Sequence, residues 1–337
     1  MRIFISVDME GTSGLERLEE IFRGLPGFDR FRGLMAGDAN AVIRGAIEGG
    51  ADEIVVSDSH GYMCNIRPDD LVPGVQLKRG QLRRQWCQMK TFDSTFDAVL
   101  LVGYHAKAGT AEAILSHTWI TGFLDVRVNG RSVPEPSLNT FLAGASGVPV
   151  VMLSGDDAVI EQSRPVLGDI HYAQVKTSTG YTSGDHLPLD ESRELLRRTA
   201  RDAVAGARHQ LPVPCELPVT IELDLSADPV GQTPLGARPD DNLRFVDRPW
   251  DGELPSDVDI VLATHPQVTS PRRGTVSFTC DDFPTAYATL HSILMEIYER
   301  DIENLIDVVA TPETYERTDL DEIIGGHSPT EAEALTS

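Results

Sequence analysis

This sequence predicts an α/β fold, a mainly parallel sheet flanked by helices with a smaller C-terminal α/β domain, and three observations carry that expectation. Short β-branched runs alternate with helical patterns along the N-terminal part of the chain. The texture changes after about residue 208, where Pro212, Pro214 and Pro218 mark a linker. Of 337 residues 41% are hydrophobic and 24% charged, which suits a chain that buries a core, and no apolar run approaches the roughly 20 residues of a membrane span.

The elements follow in order. Runs at 2–7, 53–57, 98–102, 149–153 and 170–175 each lead into a loop and then helical spacing, the sign of strand-helix units. Residues 39–47 read as a helix ending at Gly49 and Gly50, and 191–205 as another, capped by Asp190 and stopped by Gly206. Asn129-Gly130, between 123–128 and 131–133, is a two-residue hairpin turn. Past the linker, 219–223 reads as a strand entering a second unit, regular structure resumes at 257–263 and 275–279, and a helix is expected from about 283 to 300. The stretch 226–256 carries Pro229, Pro234, Pro239, Pro249 and Pro255 and reads as a long surface insertion. Residues 311–337, with seven acidic residues against Arg317 alone, read as a loosely ordered tail. The expected division is a larger α/β domain over 1–208, a smaller domain over 209–310, and the tail.

Acidic residues number 52 against 29 basic ones, a formal charge of -23, the wrong sign for tracking a phosphate backbone or an anionic lipid surface. Neither nucleic acid nor membrane is expected as a partner. Cys64, Cys87, Cys215 and Cys280 form no Cys-x-x-Cys pair, so reduced thiols are expected. The opening MRIFISV is too short for a signal-peptide core, and a cytoplasmic location is the expectation. Gly-x-Gly-x-x-Gly, Gly-x-Ser-x-Gly and His-Glu-x-x-His are absent, which sets aside dinucleotide binding, the serine-hydrolase elbow and the zincin helix.

The chemistry gathers at strand exits. Asp8 and Glu10 sit two apart at the end of the first strand and share a face. Such a pair repels itself unless a cation or a shared proton intervenes. His60 follows the second strand and His105 the third, and imidazoles beside carboxylates suit Zn²⁺ or Mn²⁺. Glu135, between Pro134 and Pro136, is expected in an extended backbone. Two divalent cations and a bridging hydroxide would offset three carboxylates to near neutrality, so a dinuclear site can sit in a partly dry cleft. A pair of metals polarises a carbonyl and generates hydroxide at neutral pH, chemistry suited to hydrolysing an amide or ester. His117 is then free to act as acid/base or to steady the intermediate.

Ser6-Val7-Asp8-Met9-Glu10-Gly11, Asp58-Ser59-His60, Gly103-Tyr104-His105-Ala106, Ser116-His117 and Glu135 followed by Leu138-Asn139, in that order over about residues 1–205, resemble the M55 D-aminopeptidase family of zinc peptidases. The resemblance implies that Asp8, Glu10, His60, His105 and Glu135 ligate two Zn²⁺ and that His117 is the catalytic histidine. It further implies removal of N-terminal D-amino acids such as D-alanine from short peptides, and a ring-like homo-oligomer. Residues 226–256 and the acidic tail look like additions.

A haloacid-dehalogenase-like phosphohydrolase is the rival. Asp8-Met9-Glu10-Gly11-Thr12 approaches its Asp-x-Asp-x-Thr, with Asp156, Asp157 and Lys176 as later groups. Glu10 is a methylene too long for that scheme, which also leaves the three histidines and Glu135 idle. On the main reading Asp156 and Asp157 form a strand-end turn and helix cap. The same residues would also serve a non-peptide amidohydrolase, or a non-catalytic metal-bound protein of the same fold. His171, His186, His209, His265, His291 and His327 read as structural or surface residues.

Overall fold

Alternation along the first strand, β1 (Arg2–Val7), separates two hydrophobic cores. Ile3, Ile5 and Val7 pack with Met35, Val42, Ile43, Leu196 and Val204, whereas Phe4 turns the other way onto the rings of Phe92 and Phe96, at centroid distances of 5.6 and 5.2 Å. Ser6 and Asp8 follow Phe4 in alternation, so the face that carries Asp8 is the Phe4 face. The computed structural model that shows this describes residues 1–309 apart from 24, 26, 81–85, 121 and 226–256. The expected insertion and the acidic tail lie outside the described residues.

Among the described residues twelve strands form two sheets. After β1 come the short helix α1 (Leu18–Ile21), the long α2 (Phe28–Glu48), and strands β2 (Glu53–Asp58), β3 (Gln76–Lys78) and β4 (Ala98–Tyr104). Then follow β5 (Phe123–Val128), β6 (Arg131–Ser132), α3 (Glu135–Ala145), β7 (Val150–Asp156), α4 (Asp157–Leu167), β8 (His171–Gly180), β9 (Ser183–His186) and α5 (Leu189–Gly206). The C-terminal part supplies β10 (Val219–Leu225), α6 (Asp257–Thr264), β11 (Thr269–Arg272), β12 (Thr275–Cys280) and α7 (Phe283–Val309). The first sheet runs β3-β2-β1-β4-β7-β8-β9 and is parallel except for β9, which pairs antiparallel with β8. This is the mixed α/β architecture expected.

The second sheet, β11-β12-β10-β5-β6, is antiparallel. Its first hairpin turns at Asn129 and Gly130, whose φ of 49° and 78° give the left-handed pair such a turn needs. The sheet takes β5 and β6 from residues 123–132, so strand pairing crosses the boundary expected at residue 208.

Three local expectations need correction. The helix expected at 39–47 begins at Phe28, because Gly33 and Gly37 interrupt the apolar pattern of its first turns without breaking it. Asp190 does not cap α5. Pro188 occupies that position and Asp190 lies in the first turn, where its charge complements the helix dipole. Glu135 is not extended either. It opens α3, with Pro136 in the first turn, where a missing N–H costs nothing.

Candidate metal centre

The order of the parallel strands reverses beside β1, between the units that add β2 and β3 on one side and β4, β7 and β8 on the other. In open α/β sheets the crevice outside the carboxyl ends of the strands at such a point is where ligands bind. Asp8 and Glu10 leave β1 there, His60 follows β2 and His105 follows β4. The two exits nearly touch: Gly11 N–H donates to the carbonyl of Gly103 at 2.8 Å, and a Cβ on Gly11 would lie 1.9 Å from the carbonyl oxygen of Tyr104. Only glycine permits that approach.

All six residues singled out from the sequence converge. Asp8, Glu10, His105 and Glu135 are 1–2% exposed, His60 and His117 8%. His60 Nδ1 lies 3.0 Å from Glu10 Oε2 and 3.6 Å from Asp8 Oδ1. His105 Nε2 is 3.5 Å from both Asp8 Oδ2 and Glu135 Oε1. His117 Nε2 is 3.7 Å from Glu10 Oε1, and its ring stacks on His105 with centroids 4.0 Å apart. Three triads, Asp8-Glu10-His60, Asp8-His105-Glu135 and Glu10-His105-His117, each bring one donor atom per residue within 4.8 Å of the others.

The far nitrogen of every ring is spoken for. His60 Nε2 donates to the carbonyl of Ile21 at 3.1 Å, His105 Nδ1 to that of Ala106 at 3.0 Å, and His117 Nδ1 to that of Leu115 at 2.8 Å. A carbonyl only accepts, so these bonds fix the inward nitrogen of each ring, as the outer partners of metal-bound histidines do. Facing inward, Asp8 Oδ2, Glu10 Oε1 and His105 Nε2 are buried with no hydrogen-bond partner among the described residues. Orphaned buried polar atoms are costly, and a divalent cation accommodates all three. The donor set of carboxylate oxygens and imidazole nitrogens fits zinc.

The proton affinities follow from the same crowding. Burial opposes charge on His60, but Glu10 and Asp8 outweigh it and hold the ring well above the ordinary imidazole range. His105 is likewise raised to about 10, burial being overcome by Glu135, Asp8 and Glu10. Burial would push Glu10 up, yet the neighbouring imidazoles carry it well below the usual carboxylate range. Glu135 rises to about 7 through burial and the proximity of Asp8. His117 falls to about 4 because burial and the charge on His105 both disfavour its cation. Without a metal, then, the carboxylates retain protons on His60 and His105 while His117 stays neutral.

Buried polar side chains hold the centre in shape. Lys176 is buried and its ammonium donates to the carbonyls of Glu10, Thr12 and Leu15 at 2.5, 3.1 and 2.5 Å, pinning the loop after β1. Asp58, at the end of β2, accepts from Asn65 N, Asn65 Nδ2 and Ile66 N at 2.6, 2.8 and 2.7 Å and so folds the loop that carries His60. Asp156 caps α4, accepting from Val159 N at 2.8 Å. Glu135 accepts from Trp119 N at 2.7 Å and from Gln88 Nε2. Lys176 and Asp156 thus have structural work that leaves neither for a phosphate site.

Residues 1–238 match the D-aminopeptidase family, peptidase family M55. The chain belongs to this family. It is accordingly a metallo-aminopeptidase by descent, and the phosphohydrolase, the non-peptide amidohydrolase and the non-catalytic protein have no support. A D-aminopeptidase of Bacillus subtilis (strain 168) is 34% identical over 201 residues, which cover 59% of this chain and 73% of that relative. Among solved structures, the Zn-dependent D-aminopeptidase DppA from Bacillus subtilis, described as a self-compartmentalizing protease, superimposes with a TM-score of 0.76 at 25% identity over 88% of this chain and 98% of its own. No helix among the described residues is long and apolar enough to cross a membrane.

Proposed function

We propose that this member of the D-aminopeptidase family is a dinuclear zinc enzyme that hydrolyses the N-terminal amide bond of short peptides and releases D-amino acids of the D-alanine kind. One observation carries the reading: three buried donor atoms, on Asp8, Glu10 and His105, face one another without partners. Asp8, Glu10, His60, His105 and Glu135 would hold the ions, with Asp8 and Glu10 each belonging to two of the donor triads. Manganese suits the same donors. When bound, such a metal pair polarises the scissile carbonyl and supplies a nucleophile at neutral pH.

His117 is assigned the proton work. Its Nδ1–H is committed to the Leu115 carbonyl, so the lone pair on Nε2 points inward, where it is placed to take a proton and return it to the departing amine. A second role is favoured by the triad Glu10-His105-His117, in which His117 is itself within ligating reach. Metal content separates the two, since a proton-transfer residue can be removed without loss of metal and a ligand cannot.

The name of the solved relative supports zinc as the working ion and a self-compartmentalizing assembly, which in this chain would be a ring-like homo-oligomer acting on small peptides in the cytoplasm. The decisive experiment pairs elemental analysis of the purified protein with a panel of D- and L-aminoacyl p-nitroanilides, short peptides and p-nitrophenyl phosphate. Stoichiometric zinc with turnover of the D-aminoacyl substrates is expected. Phosphate hydrolysis alone, or metal-free turnover, would overturn the reading.

A further inference from the structure

We propose that Gln88 is the positioning residue that turns Glu135 toward the metal centre as a one-oxygen donor, an inference that rests on the dinuclear reading above. Gln88 is buried at 4% exposure and its Nε2 donates to Glu135 Oε2. Trp119 N–H donates to the other oxygen, Oε1, at 2.7 Å, and Oε1 is also the atom that faces His105 Nε2 at 3.5 Å. With Oε2 occupied by the amide, Glu135 presents Oε1.

The direction of the Gln88 amide is imposed from behind. Asn139 Nδ2 donates to Gln88 Oε1 at 2.8 Å, so the NH₂ end has to face the carboxylate. Asn139 is itself oriented: Tyr287 Oη donates to its Oδ1 at 2.8 Å, and its Nδ2 also reaches Tyr104 Oη at 2.9 Å. A directed chain therefore runs from Tyr287 on α7 through Asn139 and Gln88 to Glu135, every member buried, and each link hands a donor to the next acceptor.

The main chain at Gln88 is held as firmly. Its carbonyl accepts from the hydroxyls of Ser6, Ser57 and Ser59 at 3.1, 3.0 and 3.0 Å, tying it to the ends of β1 and β2. Nearby, Trp86, Cys87 and Thr91 have φ of 85°, 44° and 67°. Non-glycine residues persist in that region only where their surroundings over-determine them, typically next to functional sites. A glutamine whose carbonyl, amide oxygen and amide nitrogen are all engaged, in a strained turn against a metal-site carboxylate, is built for placement.

The test compares Gln88→Met, which keeps length and volume but deletes the donor, with Gln88→Glu, which keeps the acceptor for Asn139 and sets a carboxylate against Glu135. Zinc affinity of the stripped protein is measured by chelator competition, beside the visible absorption of the Co²⁺-loaded form, whose intensity falls as coordination number rises. Both variants are expected to fold and to bind zinc about 10- to 100-fold more weakly, with an altered cobalt spectrum. Wild-type affinity and spectrum in either folded variant would overturn the inference, as would failure of both to fold, which would make Gln88 a residue of the fold alone. Glu135→Ala is the control for the underlying reading: unchanged zinc affinity there removes Glu135 from the site, whereas loss there with normal Gln88 variants defeats the positioning role only.

Discussion

His60 and His105 retain protons because three buried carboxylates surround them, and any cation that enters has to displace those protons. Zinc affinity should therefore climb with pH wherever the rings are still protonated, up to about 10 for His105, and fall as the solution is acidified. Calorimetry in buffers of different ionisation enthalpy reads the released protons directly, and binding without proton release would contradict the arrangement. Removing a donor acts more bluntly. His60→Ala and Asp8→Ala are expected to lose metal and activity together, while His117→Ala keeps its metal and loses roughly 10²- to 10⁴-fold in turnover; elemental analysis of the three purified variants decides. At this scale the sequence is informative where a residue type is rare and its chemistry specific, as with histidines directly after strands. It is silent on Gln88 and gives no sign of what Lys176 and Asp58 do, since their work consists of hydrogen bonds to backbone or to neighbouring side chains that only the folded chain brings near.

Among elements, the longer parallel strands β1, β2, β4, β7 and β8 were legible because each contains an apolar, β-branched run. The short β3, β9 and β11 were not, since three or four residues are too few to show a period. The prolines around Glu135 misled in an instructive way: a proline marks extended chain and the first turn of a helix alike, and packing chose the helix. In the second sheet, β5 and β10 are joined by Arg127, which meets Asp224 at 2.7 and 2.8 Å, with Thr275 of β12 donating to the same carboxylate at 2.5 Å. Those bonds, Arg127 foremost, hold Asp224 well below the usual carboxylate range. A depressed folded-state value means the contribution is complete above the unfolded value of about 4 and disappears as pH falls through and below it. Because the pair is partly solvated, its size should be on the order of 1 kcal/mol. Urea unfolding of wild type and Asp224→Asn at pH 7 and pH 3 should show a gap that is full at the higher pH and narrower at the lower, because the folded-state value lies further down still. In β1, Phe4→Ala removes the ring that Phe92 and Phe96 enclose and is expected to cost about 3 to 5 kcal/mol, measured by the same unfolding.

For the whole molecule, the ring-like homo-oligomer proposed above predicts a species larger than one chain in analytical ultracentrifugation; a monomer at micromolar concentration would refute that proposal. The two-sheet plan has a consequence for the integrity of the chain. β10 lies between β12 and β5, so residues from after the proline-rich linker and residues from well before it are neighbours in one ladder, and Tyr287 reaches back to Asn139. Severing the backbone anywhere between 210 and 218 would leave two fragments still clasped by those pairings, able to copurify and to keep the centre assembled, much as a zipper with a cut tape stays shut.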